Sequence, residues 1–223
     1  MQLSIHVYLV FILATLATVF FLYKASGNSK LVLLISLGWL ALQGVVSYTG
    51  FYEKTDTFPP RFILLLMPPI AFIVRLFNTD KGRVFIDSLD TTWLTYLHIV
   101  RIPVELVLFW LFLGGYVPKL MTFEGINFDI LSGVTAPLVV YFGIKKHKLK
   151  KKYLMLWNFI CLGLLFNIVI NAILAAPTVF QVQAFDQPNI GVFYFPFVWL
   201  PCFIVPAVLF SHLVCLKKLK STF

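Results

Sequence analysis

The side chains best able to do chemistry lie in one apolar stretch, Thr91-Thr92-Trp93-Leu94-Thr95-Tyr96-Leu97-His98-Ile99-Val100-Arg101-Ile102-Pro103-Val104-Glu105. Read as a helix at about 100° per residue, it places His98, Arg101 and Glu105 within about a 60° arc, with Thr91 and Thr95 near the same face. Beyond Glu105 that face continues as Phe109, Phe112 and Tyr116, so the polar stripe ends about halfway along the segment. Three ionisable groups on one face can pair with one another, hold a small polar solute or pass a proton. An arginine near the centre of a membrane helix costs about 2.5–3.5 kcal/mol on insertion scales. The i,i+4 spacing of Arg101 and Glu105 lets each partly neutralise the other. Apolar residues of similar size often stabilise as well as a buried ion pair, so a packing pair and a functional site both account for the stripe. Pro103 has no N–H, which leaves the carbonyl of Ile99 without its helical partner and predicts a kink beside the charges.

Counting from the ends of the apolar segments, Gln43 and Asn167 fall at the depth of Glu105. Asn171 falls about one turn further out, and Asn158 near the level of His98. Amides at such depth either stitch helices together, at about 0.6 kcal/mol each, or share a cavity with the charges. The expected polar site is therefore His98, Arg101, Glu105, Gln43, Asn167, Asn171 and Asn158. Asp129 opens a later segment, followed on one side by Ser132, Gly133, Ala136 and Pro137. It reads as a helix cap rather than a second acid in the site. Asp90 before Thr91 and Thr92 is an N-cap context. Cys161, Cys202 and Cys215 lie in apolar segments without CxxC spacing, as small core residues. His6 and His212 are placed near opposite membrane faces, and His98 with Cys161 would give only two ligands. No metal site and no cofactor are expected.

These residues need a membrane to position them. The chain has 223 residues, 60% hydrophobic and 12% charged, against roughly 25% charged in a soluble domain. Its mean hydropathy is +0.92. Long continuous runs such as FILATLATVFFLY argue for helices rather than the alternating strands of a barrel. The reading is an all-α polytopic integral membrane protein, a single transmembrane domain over 1–223. Seven spanning helices are expected at about 3–23, 31–52, 61–77, 91–116, 128–144, 153–176 and 191–216. The first cation, Lys24, follows the first apolar run instead of preceding it, so that run reads as a retained helix, not a leader.

The net charge of +9 is concentrated in short clusters beside apolar runs. That pattern belongs to cytoplasmic membrane flanks and excludes nucleic acid as a partner. With the N-terminus outside and the C-terminus cytoplasmic, the inner segments hold fourteen cations and the outer ones three. The largest cluster, Lys145, Lys146, Lys148, Lys150, Lys151 and Lys152, would set topology and contact anionic lipid headgroups. A plasma (inner) membrane location is expected.

Seven spans in this orientation resemble microbial rhodopsins in outline, but a retinal Schiff base needs a lysine inside the last span, which has none before Lys217. The expected function is a small-solute or proton-coupled transporter, with Glu105 as proton or cation group, Arg101 as its modulator and His98 as a relay. The partners would be membrane lipids, a small polar solute and a proton. An intramembrane lipid-modifying enzyme is less favoured because no nucleophile or metal motif is evident. A non-catalytic subunit or receptor-like protein, held by its ion pair, is the third reading. The cation bias predicts that a reporter fused after Phe223 is active on the cytoplasmic side. Activity outside would overturn the seven-span topology.

Overall fold

A computed structural model describes residues 1–221, which are 72% helical and contain no strand. Among the described residues nine α-helices run in the order α1 Ile5–Ala25, α2 Lys30–Tyr48, α3 Ile63–Asn78, α4 Asp80–Ser88, α5 Thr91–Leu97, α6 Arg101–Leu113, α7 Ile130–Leu138, α8 Lys151–Leu174 and α9 Val205–Ser221. Five helical stretches among these residues are long and apolar enough to cross a membrane: Ile5–Ala25, Lys30–Tyr48, Thr91–Leu113, Lys151–Leu174 and Leu200–Ser221. The pair α3 and α4, bent by 93°, would make a sixth if it forms one broken span. The stretch Ile130–Lys145 is apolar but short. Its sixteen residues reach at most about 24 Å at about 1.5 Å per residue, less than a hydrocarbon core of about 30 Å. The large apolar residues left exposed, among them Leu9, Leu13, Leu34, Leu42, Phe72, Phe159 and Ile170, lie on these helices, as lipid-facing surfaces require.

The loop expected between the third and fourth spans is instead the short helix α4. Thr79 caps it by accepting a hydrogen bond from the Gly82 N–H at 3.2 Å. Its Ile86 is fully buried while Asp80, Lys81, Arg83 and Asp87 are exposed, the amphipathic pattern of a helix lying along a membrane surface. Asp90 caps α5 as its sequence context indicates, accepting from the Thr92 N–H at 2.6 Å.

Proline breaks the regular ladder at defined points. Pro103 removes the partner of the Ile99 carbonyl, and the backbone tightens to a 3-10 turn over His98–Val100, between α5 and α6. Pro206 likewise orphans the carbonyl of Cys202, and the indole N–H of Trp39 on α2 donates to it at 2.9 Å. Trp199 returns the bond, donating to the Leu40 carbonyl at 2.9 Å. The two indoles tie α2 to the wide turn Leu200–Ile204 that precedes α9.

The α5–α6 unit lies inside the bundle, packed against α1, α7 and α9. Against it lies α7, whose Ser132, Gly133 and Ala136 are buried. A Cβ on Gly133 would come within 2.8 Å of Ile102 Cγ1 and 3.1 Å of the His98 carbonyl oxygen. The missing side chain therefore lets α7 touch the 3-10 turn. Gly163, by contrast, has open space where a Cβ would stand. Gly133→Ala should destabilise the protein by about 1–3 kcal/mol through overpacking. Gly163→Ala should be neutral or stabilising by up to about 1 kcal/mol. Thermal melts of the two variants in detergent check both, and equal melting temperatures would refute the close approach.

Candidate functional site

Four polar residues of the α5–α6 unit point inward. Thr95, His98, Arg101 and Glu105 are each 3% exposed or less. The i,i+4 ion pair expected within the helix is not formed. Arg101 instead meets Asp129, with Nε 3.2 Å from Oδ2, and both its terminal nitrogens reach the Cys161 carbonyl of α8 at 3.5 Å. Asp129, expected as a cap, precedes α7 but makes no capping bond with its side chain. It is the buried counter-ion of Arg101. The reason is direction. An i,i+4 pair on an exposed helix face turns back along its own helix. Here Gly133 brings α7 close enough for a carboxylate from a second element to reach the guanidinium.

Glu105 has a different partner. The amide nitrogen of Asn127 donates to Glu105 Oε1 at 2.7 Å and Oε2 at 2.8 Å, and lies 3.0 Å from the Met121 carbonyl. Asn127 Oδ1 accepts from the Asp129 backbone N–H at 3.1 Å, so one amide side chain ties the Glu105 carboxylate to the backbone of Asp129. Asn127 is fully buried although it belongs to a connection between helices. Asp129 and Arg101 both lie within electrostatic reach of Glu105. Beside the carboxyls is a cavity of about 90 Å³, lined by Glu105, Asp129 and Asn189 among apolar side chains that include Leu65, Leu108, Ile168 and Phe193.

On the other side of Arg101, His98 stacks on His212 with ring centroids 3.9 Å apart and planes 20° from parallel. Trp157 closes the pair edge-on to His98 at 5.5 Å. The tautomers follow from the neighbours. The Ser211 hydroxyl donates to the Leu94 carbonyl at 2.7 Å, so at 3.2 Å from Ser211 Oγ the His98 Nε2 must carry the hydrogen. The Asn158 amide nitrogen donates to the Leu154 carbonyl at 2.9 Å, so its oxygen accepts from His212 Nδ1 at 2.9 Å. His98 Nδ1 and His212 Nε2 remain as buried basic nitrogens without a hydrogen-bond partner.

Of the residues the sequence marks out, His98, Arg101, Glu105 and Asn158 are assembled into one layer. Gln43 is elsewhere, accepting from the Tyr52 hydroxyl at 2.6 Å. Asn167 donates to the Ile126 carbonyl at 2.9 Å, and Asn171 accepts from Gln183 at 2.9 Å. Both fasten loops, and Asn167 thereby steadies the loop that carries Asn127. The members missed are Asp129, Asn127, His212 and Asn189. The His212 signal was present: it stands five residues before Lys217 and His98 eight after Asp90, so both lie near the same end of their helices. Among the described residues no three His, Cys, Asp or Glu side chains are grouped to hold a metal ion.

Fold and site together define an all-helical protein with several helices long and apolar enough to cross a membrane and a buried charged layer between them. The model of the domain of unknown function DUF8737 matches residues 59–220, well over half of the chain, and the protein belongs to that family. The matched region contains every residue of the layer. No curated protein and no solved structure matches the chain.

The pairing makes a testable distinction. Arg101→Met leaves a buried carboxylate unpaired and should cost roughly 3–5 kcal/mol. Adding Asp129→Asn should recover most of that loss, whereas adding Glu105→Gln should recover little. Thermal melts of the three variants decide, and equal rescue by both second substitutions would contradict the Asp129 assignment.

Proposed function

We propose that the protein is a proton-coupled transporter of a small polar solute. In this reading it is built from seven spans, of which the short α3 and Ile130–Lys145 cross only with local thinning of the bilayer, with the N-terminus outside, the C-terminus cytoplasmic, and the plasma (inner) membrane as its location. One observation carries it: a buried track of ionisable groups begins at a cavity on Glu105 and Asp129, passes Arg101, and reaches the stacked His98 and His212. Ionisable residues inside a membrane bundle mark ion and proton pathways more often than packing devices. The charge count fits. One guanidinium faces two carboxyls, so the layer is neutral only when a single proton is shared between them.

Glu105 is the proton group, because Asn127 gives it only neutral hydrogen bonds. Arg101 is the charge partner of Asp129. His98 and His212, each with a vacant basic nitrogen, hand the proton toward the end of the bundle that carries Lys217 and the lysine cluster. The irregular backbone at His98–Val100, Val139–Lys145 and Leu200–Ile204 would allow helices to shift without breaking a regular ladder. Exposed Lys145, Lys146, Lys148, Lys150 and Lys152, with Lys151, would sit on anionic headgroups at that face.

A hydrolytic reading has one attractive feature, Ser211 at 3.2 Å from His98. Against it, the hydroxyl is committed to the Leu94 carbonyl, no acid orients His98, and Ser211 does not line the cavity. Glu105→Gln keeps the Asn127 contact but cannot titrate. It should melt within a few degrees of the wild type while losing the pH dependence of solute flux in proteoliposomes. Wild-type pH-dependent flux from a normally melting variant would remove Glu105 from the mechanism.

A further inference from the structure

The cavity beside Glu105 is selective in its chemistry. Its polar lining consists of acceptors: the Glu105 carboxyl, the Asp129 carboxyl and the Asn189 side chain. Asp129 Oδ1 and Asn189 Oδ1 are buried and have no donor among the described residues. The Asn189 orientation is fixed, because its amide nitrogen donates to the Ala172 carbonyl at 3.0 Å. The residue itself is 1% exposed. Buried acceptors without donors are costly, and a ligand bearing several N–H groups would relieve them.

The charges point the same way. The groups facing Glu105 are Asp129, from the turn before α7, and Arg101 on its own helix. Arg101 lies against Asp129, and it is the cation that faces His98 and His212. Cys161 of α8 faces the Arg101–Asp129 pair. Within this set one carboxylate is left without a cation whenever both are ionised. An anion would be repelled, and a neutral alcohol would leave the charge uncompensated. Size narrows the choice. A dry cavity of about 150 Å³ takes a benzene molecule, so one of about 90 Å³ holds a chain of about three to five non-hydrogen atoms. Leu65, Leu108, Ile168 and Phe193 offer such a chain an apolar bed.

We infer that this cavity binds a small primary alkylammonium ion, with its ammonium group between Glu105, Asp129 Oδ1 and Asn189 Oδ1 and its alkyl chain among the apolar side chains. The exchange is balanced in charge: one alkylammonium enters as one proton leaves the Glu105–Asp129 pair. The inference shares Glu105 with the transport reading and names the solute class for it.

The test is calorimetric titration of the full chain in lipid nanodiscs with propylammonium, in two buffers of different ionisation enthalpy. Saturable binding with about one proton released per cation is expected, with no binding of propionate or propanol. Asn189→Ala should weaken binding at least tenfold while melting near the wild type. A series from methyl- to hexylammonium needs no variant. Affinity should rise to propyl- or butylammonium and then fall. A flat series, equal binding of propanol, or unchanged affinity in a normally melting Asn189→Ala protein would overturn the assignment. Glu105-dependent, pH-driven flux without ammonium binding would overturn the ligand class and leave the transport reading standing. Ammonium binding without any flux would do the reverse.

Discussion

The guanidinium of Arg101 sets the terms for the rest of the interior. It cannot shed its proton under ordinary conditions, and at 3% exposure it cannot be hydrated from the surface. Its charge must be met by groups brought from other helices. Each neighbouring feature serves that requirement. Gly133 lets α7 approach until Asp129 reaches Nε. The Cys161 carbonyl is offered by α8, and the Pro103 kink begins α6 at Arg101 itself. Remove the close approach and the carboxylate is out of reach, because an aspartate side chain has only one methylene to span the gap. The small residues of α7 and the charge on α6 are thus one structural device seen from two sides.

A second consequence follows from the prolines. Each one deletes a ladder bond and leaves a carbonyl that must find another donor inside an apolar medium. At Cys202, whose carbonyl Pro206 orphans, the donor is the Trp39 indole of another helix, and Trp199 to Leu40 and Ser47 to the Phe193 carbonyl at 3.0 Å add further bonds beside it. Such bonds bind α2 to the broken segment before α9 without needing a continuous helix there. That explains why the last span begins nine residues later than its apolar pattern indicates: residues 191–199 are apolar enough for a membrane helix, yet they carry Pro196 and form only a short turn at Gly191–Phe193.

The helices were largely legible because long apolar runs leave few alternatives. The predicted segments 3–23, 31–52 and 153–176 fall within a few residues of α1, α2 and α8. Two kinds of information were not legible. Direction was one. Helical periodicity places His98, Arg101 and Glu105 on one face but does not say which element lies opposite, so it points to the i,i+4 partner where Asp129 is the true one. Depth in connections was the other. Asn127 and Asn189 belong to loops that fold back into the bundle, and a chain read as spans and surface loops places such residues in water. The amides at Gln43, Asn167 and Asn171 show the opposite error. Their depth was comparable to that of Glu105, but each faces a loop or a neighbouring hydroxyl instead of the charges.

The same layer bears on whether the charges exist for packing. A buried pair kept for stability should have its hydrogen-bonding capacity filled, since half-satisfied networks are worse than apolar ones. Here the ion pair is a charge contact without an aligned hydrogen bond from Arg101 Nε, and the guanidinium's two contacts to Cys161 are long. Asp129 Oδ1, Asn189 Oδ1, His98 Nδ1 and His212 Nε2 are buried without partners as well. These open valences are not scattered: Asp129 and Asn189 line the cavity, and the histidines stack on each other beside Arg101. Lone Thr15 and Thr18 on α1 show how the same protein treats polar groups that only pack. Their hydroxyls each find a partner, donating to the Phe11 and Ala14 carbonyls at 3.0 and 2.9 Å. Vacant acceptors at the cavity and beside Arg101 support the proposed exchange of protons or cations, because each bound ion must find empty lone pairs when it arrives.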